Sequence, residues 1–360
     1  MFYKISKYLI KMDIFFITIL FCFFLWGLNK FFSFSLIENL RNSPQTFHKK
    51  SVSRLGGIAI FMSLFITSYF LSGDNEEYRI LRLALASTLP IFLVGILDDL
   101  KIQISPITRI LFMIPTPVIF FYFLDVRIES VGIDFIDGFL KIEIIGLLFL
   151  IFSLIGIINA FNIVDGFNGL LLTYCLSVLL TLILAYESSS GIDWLTYIVA
   201  IFFAIFGVFL FNFPFGKLFL GDAGAYLLGA LIPISLIEYT FDNGFSPWFV
   251  LAVLIYPVTE VFTSIVRKVF FRKMSAMQPD GLHFHMLVYK KISKKVGFRR
   301  VRLRHFVVTL FIFSINFPFL LAANLYKSDS IFLIFLCCWY LLFYIMIYFL
   351  MIPKYAFGKK

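Results

Sequence analysis

The sequence predicts an all-α polytopic integral membrane protein, and three observations lead to that fold class. Of its 360 residues, 61% are hydrophobic, 14% are charged and 50 are phenylalanine. A soluble domain carries about 25% charged residues, so this composition excludes a soluble enzyme, a disordered region and a nucleic-acid-binding protein. The third observation is that apolar runs near the ~20 residues of a membrane helix recur along the whole chain.

Eleven apolar runs are candidate membrane spans, numbered here in chain order. They lie at 14–36, 56–72, 80–97, 107–124, 142–158, 169–186, 194–211, 223–241, 247–265, 305–324 and 331–351. The first run follows three lysines as a signal peptide would, but no small-residue cleavage site comes after it, so we interpret it as a retained span. Because no repeat or low-complexity linker divides the chain, residues 1–360 are predicted to form one integral domain.

The polar loops between the spans differ in charge. Loops after even-numbered spans are acidic or neutral, and the one at 125–141 resembles a short β-hairpin outside the bilayer. Loops after odd-numbered spans are basic, with twelve Lys or Arg between Arg267 and Arg304. The positive-inside rule then makes the odd loops cytoplasmic and the N-terminus external, although the N-terminal lysines oppose this orientation. The basic run from Lys290 to Arg304 is interpreted as an anchor for anionic lipids.

Unusual polar residues gather at span ends on the predicted cytoplasmic side. They are Asp98 and Asp99 after span 3, Asn159, Asn162, Asp165 and Asn168 between spans 5 and 6, Asp222 at the start of span 8, and His283 and His285 after span 9. Carboxylates at a membrane edge are costly and indicate function by default. A solvated helix cap explains any one of these groups, but four clusters on one side indicate a common site.

The chemistry of these residues suits phosphate and a divalent cation. Adjacent Asp98 and Asp99 would repel each other in one site unless a cation or a proton intervened. Oxygen ligands without thiolates favour Mg²⁺, with Mn²⁺ as the alternative. Two Gly-rich segments, 165–169 and 221–224, allow backbone N–H groups to approach an anion closely, and Lys49, Lys50 and Arg54 add positive charge. The two histidines lack further zinc ligands nearby, so phosphate contact or proton handling fits them better than zinc, with an exposed loop position as the alternative.

Five segments in this order resemble the polyprenyl-phosphate N-acetylhexosamine-1-phosphate transferases, which form glycosyltransferase family 4. They are HKKSVSRLGGIAI (48–60), VGILDDLKIQISPITR (94–109), NAFNIVDGFNGL (159–170), KLFLGDAGA (217–225) and PDGLHFHMLVY (279–289). The resemblance covers roughly residues 40–310. Any one of these motifs is common, but five in the family's order are specific.

The resemblance implies a reaction in a bacterial cytoplasmic membrane, with the active site facing the cytoplasm. The phosphate of a polyprenyl phosphate, undecaprenyl phosphate in most bacteria, attacks the β-phosphate of a UDP-N-acetyl sugar, and UMP leaves. The SRLGG and PDGLHFH segments favour UDP-GlcNAc or a close derivative, and hence the priming of a surface polysaccharide. The alternative is the phospho-MurNAc-pentapeptide transferase of peptidoglycan synthesis. Family members often form homodimers.

The same resemblance implies a role for each matching residue. Asp222 matches the metal ligand, and the proposed catalytic residues are Asp98, Asp99, Asp165, His283 and His285. One of Asp98 and Asp99 contacts the lipid phosphate, and the histidines contact the sugar phosphate. Residues implied to bind the nucleotide or its phosphates are Lys49, Asn162, Asn168, Gly169, Leu170, Asn212 and Phe219.

Three departures from the family pattern concern the donor and the subfamily. Asn168 stands where many members have Asp, the histidine loop lacks a third His, and no third Asp follows the acidic pair.

Two other classes of membrane protein remain as alternatives. A secondary transporter would hold its polar site near the membrane midplane on broken helices. An intramembrane prenyltransferase would show two similar Asp-rich motifs instead of an Asn-rich turn and a histidine loop.

Overall fold

The computed structural model describes residues 12–32, 52–72, 78–102, 104–185, 194–275, 281–295 and 301–352. Within these ranges the regular structure is entirely helical. The helices of the first half are α1 (Met12–Phe32), α2 (Gly56–Ile66), α3 (Arg79–Asp99), α4 (Pro106–Met113), α5 (Pro115–Phe123), α6 (Asp134–Leu140), α7 (Glu143–Val164) and α8 (Leu170–Ala185). The helices of the second half are α9 (Trp194–Asn212), α10 (Gly221–Asp242), α11 (Trp248–Val253), α12 (Ile255–Val266), α13 (Phe284–Lys295), α14 (Val301–Leu325) and α15 (Ser330–Met351). Wider turns at 67–71 and 267–271 extend α2 and α12.

The polytopic membrane class is confirmed, but eleven full spans are not. By length and composition, seven helical stretches of the described chain could cross a membrane: α3, α4 with α5, α7, α9, α10, α14 and α15. Three apolar helices are shorter, at Met12–Leu28, Gly56–Leu71 and Leu170–Ala185. These helices account for ten of the eleven predicted runs as far as the structure describes them, and the remaining run, 247–265, is divided between α11 and α12.

The ninth predicted span is broken at Leu254, between α11 and α12. Pro257 lies in the first turn of α12 and has no N–H to donate to the carbonyl four residues earlier, that of Val253. The hydroxyl of Tyr174, on α8, donates to this carbonyl instead, at 2.6 Å. A neighbouring helix thus satisfies the backbone group that the proline leaves open, which allows the break inside the bundle.

The β-hairpin predicted at 125–141 is wrong. Residues 126–131 are irregular, and the short helix α6 follows. The carboxylate of Asp137 accepts hydrogen bonds from the Ser130 hydroxyl (2.6 Å) and the Val131 N–H (2.7 Å). The Asp137 carboxylate thus accepts the loop N–H that a neighbouring strand would accept in a hairpin. The residues of alternating polarity therefore form no strand pair.

Helix α10 lies at the centre of the bundle, nearly all of it buried, and packs against α2, α3 and α7. Glycines bring these helices close to it: Gly57 of α2 faces Gly224, and Gly95 of α3 faces Ala223. Small residues at such crossings allow backbones to approach within van der Waals contact. The N-terminus of α10 is therefore held tightly between the ends of its neighbours, where the polar residues lie.

Candidate active site

The two carboxylates of the acidic pair have different partners. Asp99, the last residue of α3, accepts hydrogen bonds from the N–H groups of Asp222 (2.9 Å) and Ala223 (3.0 Å). These N–H groups belong to the first turn of α10, which has no partners for them within the helix. A negative charge is also favourable at the positive end of a helix dipole. Asp99 therefore caps α10 and fixes the backbone of Asp222.

Asp98 forms a separate contact on the other side of α3. Its carboxylate lies 2.8 Å from the Arg109 guanidinium of α4 and accepts a 3.3 Å hydrogen bond from the Tyr226 hydroxyl of α10. The side chain is only 3% exposed, whereas Arg109 is 40% exposed. A buried carboxylate thus holds an accessible cation at the end of the bundle. Arg109 and Tyr226 were not singled out from the sequence.

Asp222 is the accessible carboxylate of this region, with 31% of its side chain exposed. It accepts a 2.8 Å hydrogen bond from the Asn162 amide of α7. The guanidinium of Arg54 lies 3.7 Å from both Asp222 and Asp99. The structure therefore brings together residues that the sequence separates by up to 168 positions, and it gives Arg54 a specific place between two carboxylates.

Backbone pairing explains how Arg54 reaches that place. The N–H groups of Gly56 and Gly57 donate to the carbonyls of Phe219 and Leu220, each at 2.8 Å, and Phe219 donates to Ser53 at 2.8 Å. The segment before α2 thus runs along the segment before α10. Phe219, predicted to contact the nucleotide, belongs to this pairing. Lys49, predicted beside it, lies outside the described residues.

Asp165 directly follows α7, outside the membrane-spanning helix, and is half-buried. Desolvation and, second, the negative charge of Asp222 raise the pKa of this carboxyl to about 7, while Arg54 acts in the opposite direction. The carboxylates of Asp165 and Asp222 thus repel each other, and the Arg54 guanidinium attracts both. A bound divalent cation would relieve this repulsion.

The oxygen atoms present fit a magnesium ion, although they do not enclose one. Nowhere in the described parts of the chain do three or more His, Cys, Asp or Glu come close enough to hold a metal by themselves. Mg²⁺ is commonly bound by one or two carboxylates together with waters and substrate phosphates. Asp222 and Asp165 provide that kind of incomplete ligand set, which a phosphate-bearing substrate would complete.

Asn212 connects the residues predicted to hold the nucleotide base. Its carbonyl accepts the N–H of Gly169 at 2.5 Å, and its amide donates to the carbonyl of Leu218 at 2.9 Å. Gly169 has φ = +74°, a backbone conformation that favours glycine, and Leu170 begins α8. Asn212 therefore joins the 168–170 turn to the segment before α10.

Asn168 is held inside this turn by the C-terminal half of the chain. Its N–H donates to Nδ1 of His305 at 3.5 Å, and its carbonyl accepts a 2.8 Å hydrogen bond from Thr309. The side chain is buried and lies against Gly216. His305 thus supports the turn from α14, a role that the sequence does not indicate.

The histidine loop is buried, which corrects the alternative of exposed histidines. His283 and His285 are 3% and 0% exposed, and their rings stack with centroids 5.7 Å apart. His283 contacts the carboxylate of Glu260 at 3.2 Å. The ring of His285 lies against Gly166, where an added Cβ would be 2.8 Å from Nε2. The loop therefore packs on the turn that carries Asp165.

Glu260 was missed because it lies inside a predicted apolar span. It is 1% exposed and accepts hydrogen bonds from the Phe284 N–H (2.8 Å) and the Tyr344 hydroxyl (2.9 Å). A lone carboxylate within a membrane segment is itself a signal of function. That signal was available in the sequence at position 260.

Comparisons with known proteins concern the family that this chain resembles. The family described as glycosyl transferase family 4 matches residues 80–240. An undecaprenyl-phosphate alpha-N-acetylglucosaminyl 1-phosphate transferase of Thermotoga maritima is 28% identical over 69% of this chain and 71% of its own. A probable undecaprenyl-phosphate N-acetylglucosaminyl 1-phosphate transferase of Bacillus subtilis is 27% identical over 81% and 78%. A phospho-N-acetylmuramoyl-pentapeptide-transferase of Staphylococcus carnosus is 24% identical over 68% and 79%. Together these matches indicate a phosphosugar transferase of a bacterial membrane.

Proposed function

From this confirmed resemblance to the polyprenyl-phosphate N-acetylhexosamine-1-phosphate transferases, we propose that the chain transfers an N-acetylhexosamine 1-phosphate from a UDP-sugar to undecaprenyl phosphate. UMP is released, and the product is a polyprenyl diphosphate sugar that primes a cell-surface polysaccharide. UDP-GlcNAc or a close derivative is the favoured donor. This preference follows the names of the Thermotoga and Bacillus relatives.

One observation carries this proposal: the start of α10 gathers groups suited to phosphate. Asp222 begins that helix beside Asn162 and Arg54, and Asp99 fixes its backbone. A helix N-terminus and a guanidinium both favour a bound phosphate. The turn of Asp165 and the histidine loop lie beside one another, as the packing of His285 on Gly166 shows.

Phosphoryl transfer requires that the protein neutralise charge and align the substrates, and it requires no covalent intermediate with the protein. An oxygen of the lipid phosphate forms a bond to the β-phosphorus of the UDP-sugar, and the bond from that phosphorus to the bridging oxygen breaks. UMP leaves with the electron pair. Arg54 offsets the negative charge of the phosphates, and the turn that Asn212 holds at Gly169 orients the base.

Asp222 and Asp165 are the proposed ligands of Mg²⁺, or of Mn²⁺ in its place. When bound, the ion would neutralise the substrate diphosphate and complete its coordination with phosphate oxygens. Asn162 donates to Asp222 and orients its carboxylate. His283 and His285 are proposed to face the sugar phosphate, and the Asp98–Arg109 pair to face the lipid phosphate.

The proposed topology is one integral domain with eleven membrane segments, several of them short, and a cytoplasmic active site. It is supported by the location of the site residues at the ends of α3 and α7 and the start of α10. The basic segment near α13 would contact anionic lipids, and a homodimer is proposed from the family resemblance.

A labelling experiment tests the topology. Single cysteines at exposed Lys101 and Glu129, in a background lacking Cys338, would react with a membrane-impermeant reagent from opposite sides of the membrane. Reaction from one side would refute the topology.

A second candidate, phospho-MurNAc-pentapeptide transfer, is favoured by the similarity to the Staphylococcus enzyme. One experiment separates the two. Purified protein is mixed with undecaprenyl phosphate, Mg²⁺ and a panel of UDP-sugars that includes UDP-GlcNAc and UDP-MurNAc-pentapeptide, and UMP release is measured. Asp222→Asn is the blank, because this exposed carboxylate contributes little to packing. UMP release with UDP-GlcNAc supports the proposal, release with the pentapeptide donor supports the alternative, and no release from folded protein refutes both.

A further inference from the structure

The C-terminal helix α15 carries three tyrosines, Tyr340, Tyr344 and Tyr348, that are buried along one face. Residues four apart on a helix share a face, so these hydroxyl groups form a polar line on a helix that is otherwise largely exposed and apolar. Each hydroxyl has a different partner in the bundle. We propose that α15 positions the histidine loop through Tyr344 and Glu260. This inference rests on the role proposed above for His283.

The first step is a chain of contacts from α15 to His283. The Tyr344 hydroxyl donates to Oε2 of Glu260 at 2.9 Å, and Oε1 of Glu260 lies 3.2 Å from Nδ1 of His283. An ionised carboxylate only accepts hydrogen bonds, so Nδ1 of His283 must donate. The carboxylate therefore fixes which ring nitrogen holds the proton and how the ring is turned, as outer carboxylates do for ligating histidines.

The second step is that α15 and its neighbours also hold the backbone of the loop. The Tyr348 hydroxyl donates to the carbonyl of Leu282 at 2.9 Å, and the Arg267 guanidinium donates to the same carbonyl at 3.2 Å and to the Tyr348 hydroxyl. On the other side of His283, the N–H of Phe284 donates to Glu260 at 2.8 Å. The backbone is thus fixed at both neighbours of His283.

The third step connects this support to the site. Oε2 of Glu260 lies 4.0 Å from Nδ1 of His285, whose ring packs on Gly166 beside Asp165. A displacement of Glu260 would therefore move both histidines relative to the Asp165 turn. Tyr344 and Glu260 lie outside residues 80–240 and touch none of the carboxylates at the start of α10, so they act as positioning residues.

Tyr340 provides a matched control on the same helix face. Its hydroxyl donates to the side-chain carbonyl of Asn316, on α14, at 2.8 Å. Tyr340 and Tyr344 are both almost completely buried, and the hydroxyl of each donates a hydrogen bond to a buried side chain. Replacing either by Phe removes one buried hydroxyl, but only Tyr344→Phe removes a contact to Glu260. A purely structural role of the tyrosines predicts similar effects for both.

The experiment is a double-mutant cycle between Tyr344→Phe and His283→Ala, with kcat and KM for the UDP-sugar as readouts. Tyr344→Phe removes one of the hydrogen bonds that orient the Glu260 carboxylate toward His283, so we expect it to lower kcat/KM about tenfold. In the His283→Ala background the same substitution should cause a clearly smaller loss, because the part of its effect that passes through His283 is already absent. Tyr340→Phe should change kcat/KM less than about twofold, because its hydroxyl contacts Asn316 and not Glu260.

Two outcomes would overturn the inference. Losses that multiply in the double mutant would mean that Tyr344 does not act through His283. Equal losses for Tyr340→Phe and Tyr344→Phe would mean a structural role only.

A second readout does not need activity. Deuterium exchange of the Phe284 amide should be faster in Tyr344→Phe and Glu260→Gln than in wild type and Tyr340→Phe. Unchanged exchange in folded variants would also overturn the inference. If wild type releases no UMP while this exchange responds as expected, the proposed function fails and the support of the loop stands.

Discussion

The substitution Asp99→Asn tests whether this carboxylate acts mainly on the start of α10. Both oxygens of Asp99 accept backbone N–H groups, from Asp222 at 2.9 Å and Ala223 at 3.0 Å. Asparagine has one acceptor oxygen, and its NH₂ group would point at the second N–H. The substitution therefore removes one hydrogen bond to a charged acceptor and the negative charge at the helix end.

The expected loss of stability follows from these two contributions. A hydrogen bond to a charged group contributes about 1.5–3 kcal/mol, and a charge at a helix N-terminus about 0.3–1 kcal/mol. The free energy of unfolding should then fall by about 2–4 kcal/mol. Since the backbone of Asp222 loses its support, its carboxylate will shift. Loss of such outer contacts costs about 10–100-fold in metal affinity, so the Mg²⁺ concentration for half-maximal activity should rise accordingly.

The assays are thermal unfolding in detergent and UMP release as a function of Mg²⁺, with removal of the metal by EDTA as the zero point. Asp98→Asn is the control, because Asp98 contacts the side chains of Arg109 and Tyr226 and not the N–H groups in the first turn of α10. Asp98→Asn should alter how UMP release depends on the concentration of lipid phosphate. It should leave the Mg²⁺ concentration for half-maximal activity nearly unchanged. If Asp99→Asn unfolds like wild type and keeps the wild-type Mg²⁺ midpoint, the capping role is wrong.

Three further predictions concern the turn at 165–169 and its surroundings. Gly166→Ala places a methyl group 2.8 Å from the His285 ring and should cost about 1–3 kcal/mol of stability, whereas Gly138→Ala, with open space around it, should cost little in the same unfolding assay. Asn212→Ala leaves the Gly169 N–H unpaired, costs about 1–3 kcal/mol, and should raise KM for the UDP-sugar more than it lowers kcat. Burial lowers the pKa of His285 to about 4; the contribution of its neutral ring to stability is therefore complete above the ordinary pKa of about 6.5, and this contribution should be about 2 kcal/mol smaller at pH 5 than at pH 7. Unfolding of wild type and His285→Gln at both values measures this, and equal pH dependence in the two would contradict it.

The positions of the helices and the clustering of the acidic residues could be predicted because both depend on local sequence. Apolar runs locate helices wherever the chain crosses the bundle, and within the described residues each of the eleven runs contains helix. Asp98, Asp99 and Asp222 lie at helix ends as expected. The break at Leu254 could not be predicted, because Tyr174, which compensates Pro257, comes from a helix about 80 positions earlier. Periodicity does not reveal such a partner.

The different roles of Asp98 and Asp99 could not be predicted from the sequence either. Two adjacent carboxylates on a helix point in different directions, and only the packing of α3 on α10 decides what each one meets. Glu260 is a related case, since its partner Tyr344 lies 84 positions away. Local sequence thus locates charged groups, while long-range packing determines which of them bind a ligand and which support another residue.

The same packing explains why Gly95 stands one helical turn before Asp99. A Cβ at Gly95 would collide with the backbone of Ala223 and lie 3.0 Å from the carbonyl carbon of Asp222. Any larger residue would push α3 away from α10, and the Asp99 carboxylate would no longer reach the two N–H groups at 2.9 and 3.0 Å. The glycine and the carboxylate therefore depend on each other: close approach of the helices makes the cap reachable, and the cap satisfies the helix end that this approach buries. On this reasoning the segment 94–99 is specified as much by the contact with α10 as by the chemistry of its carboxylates.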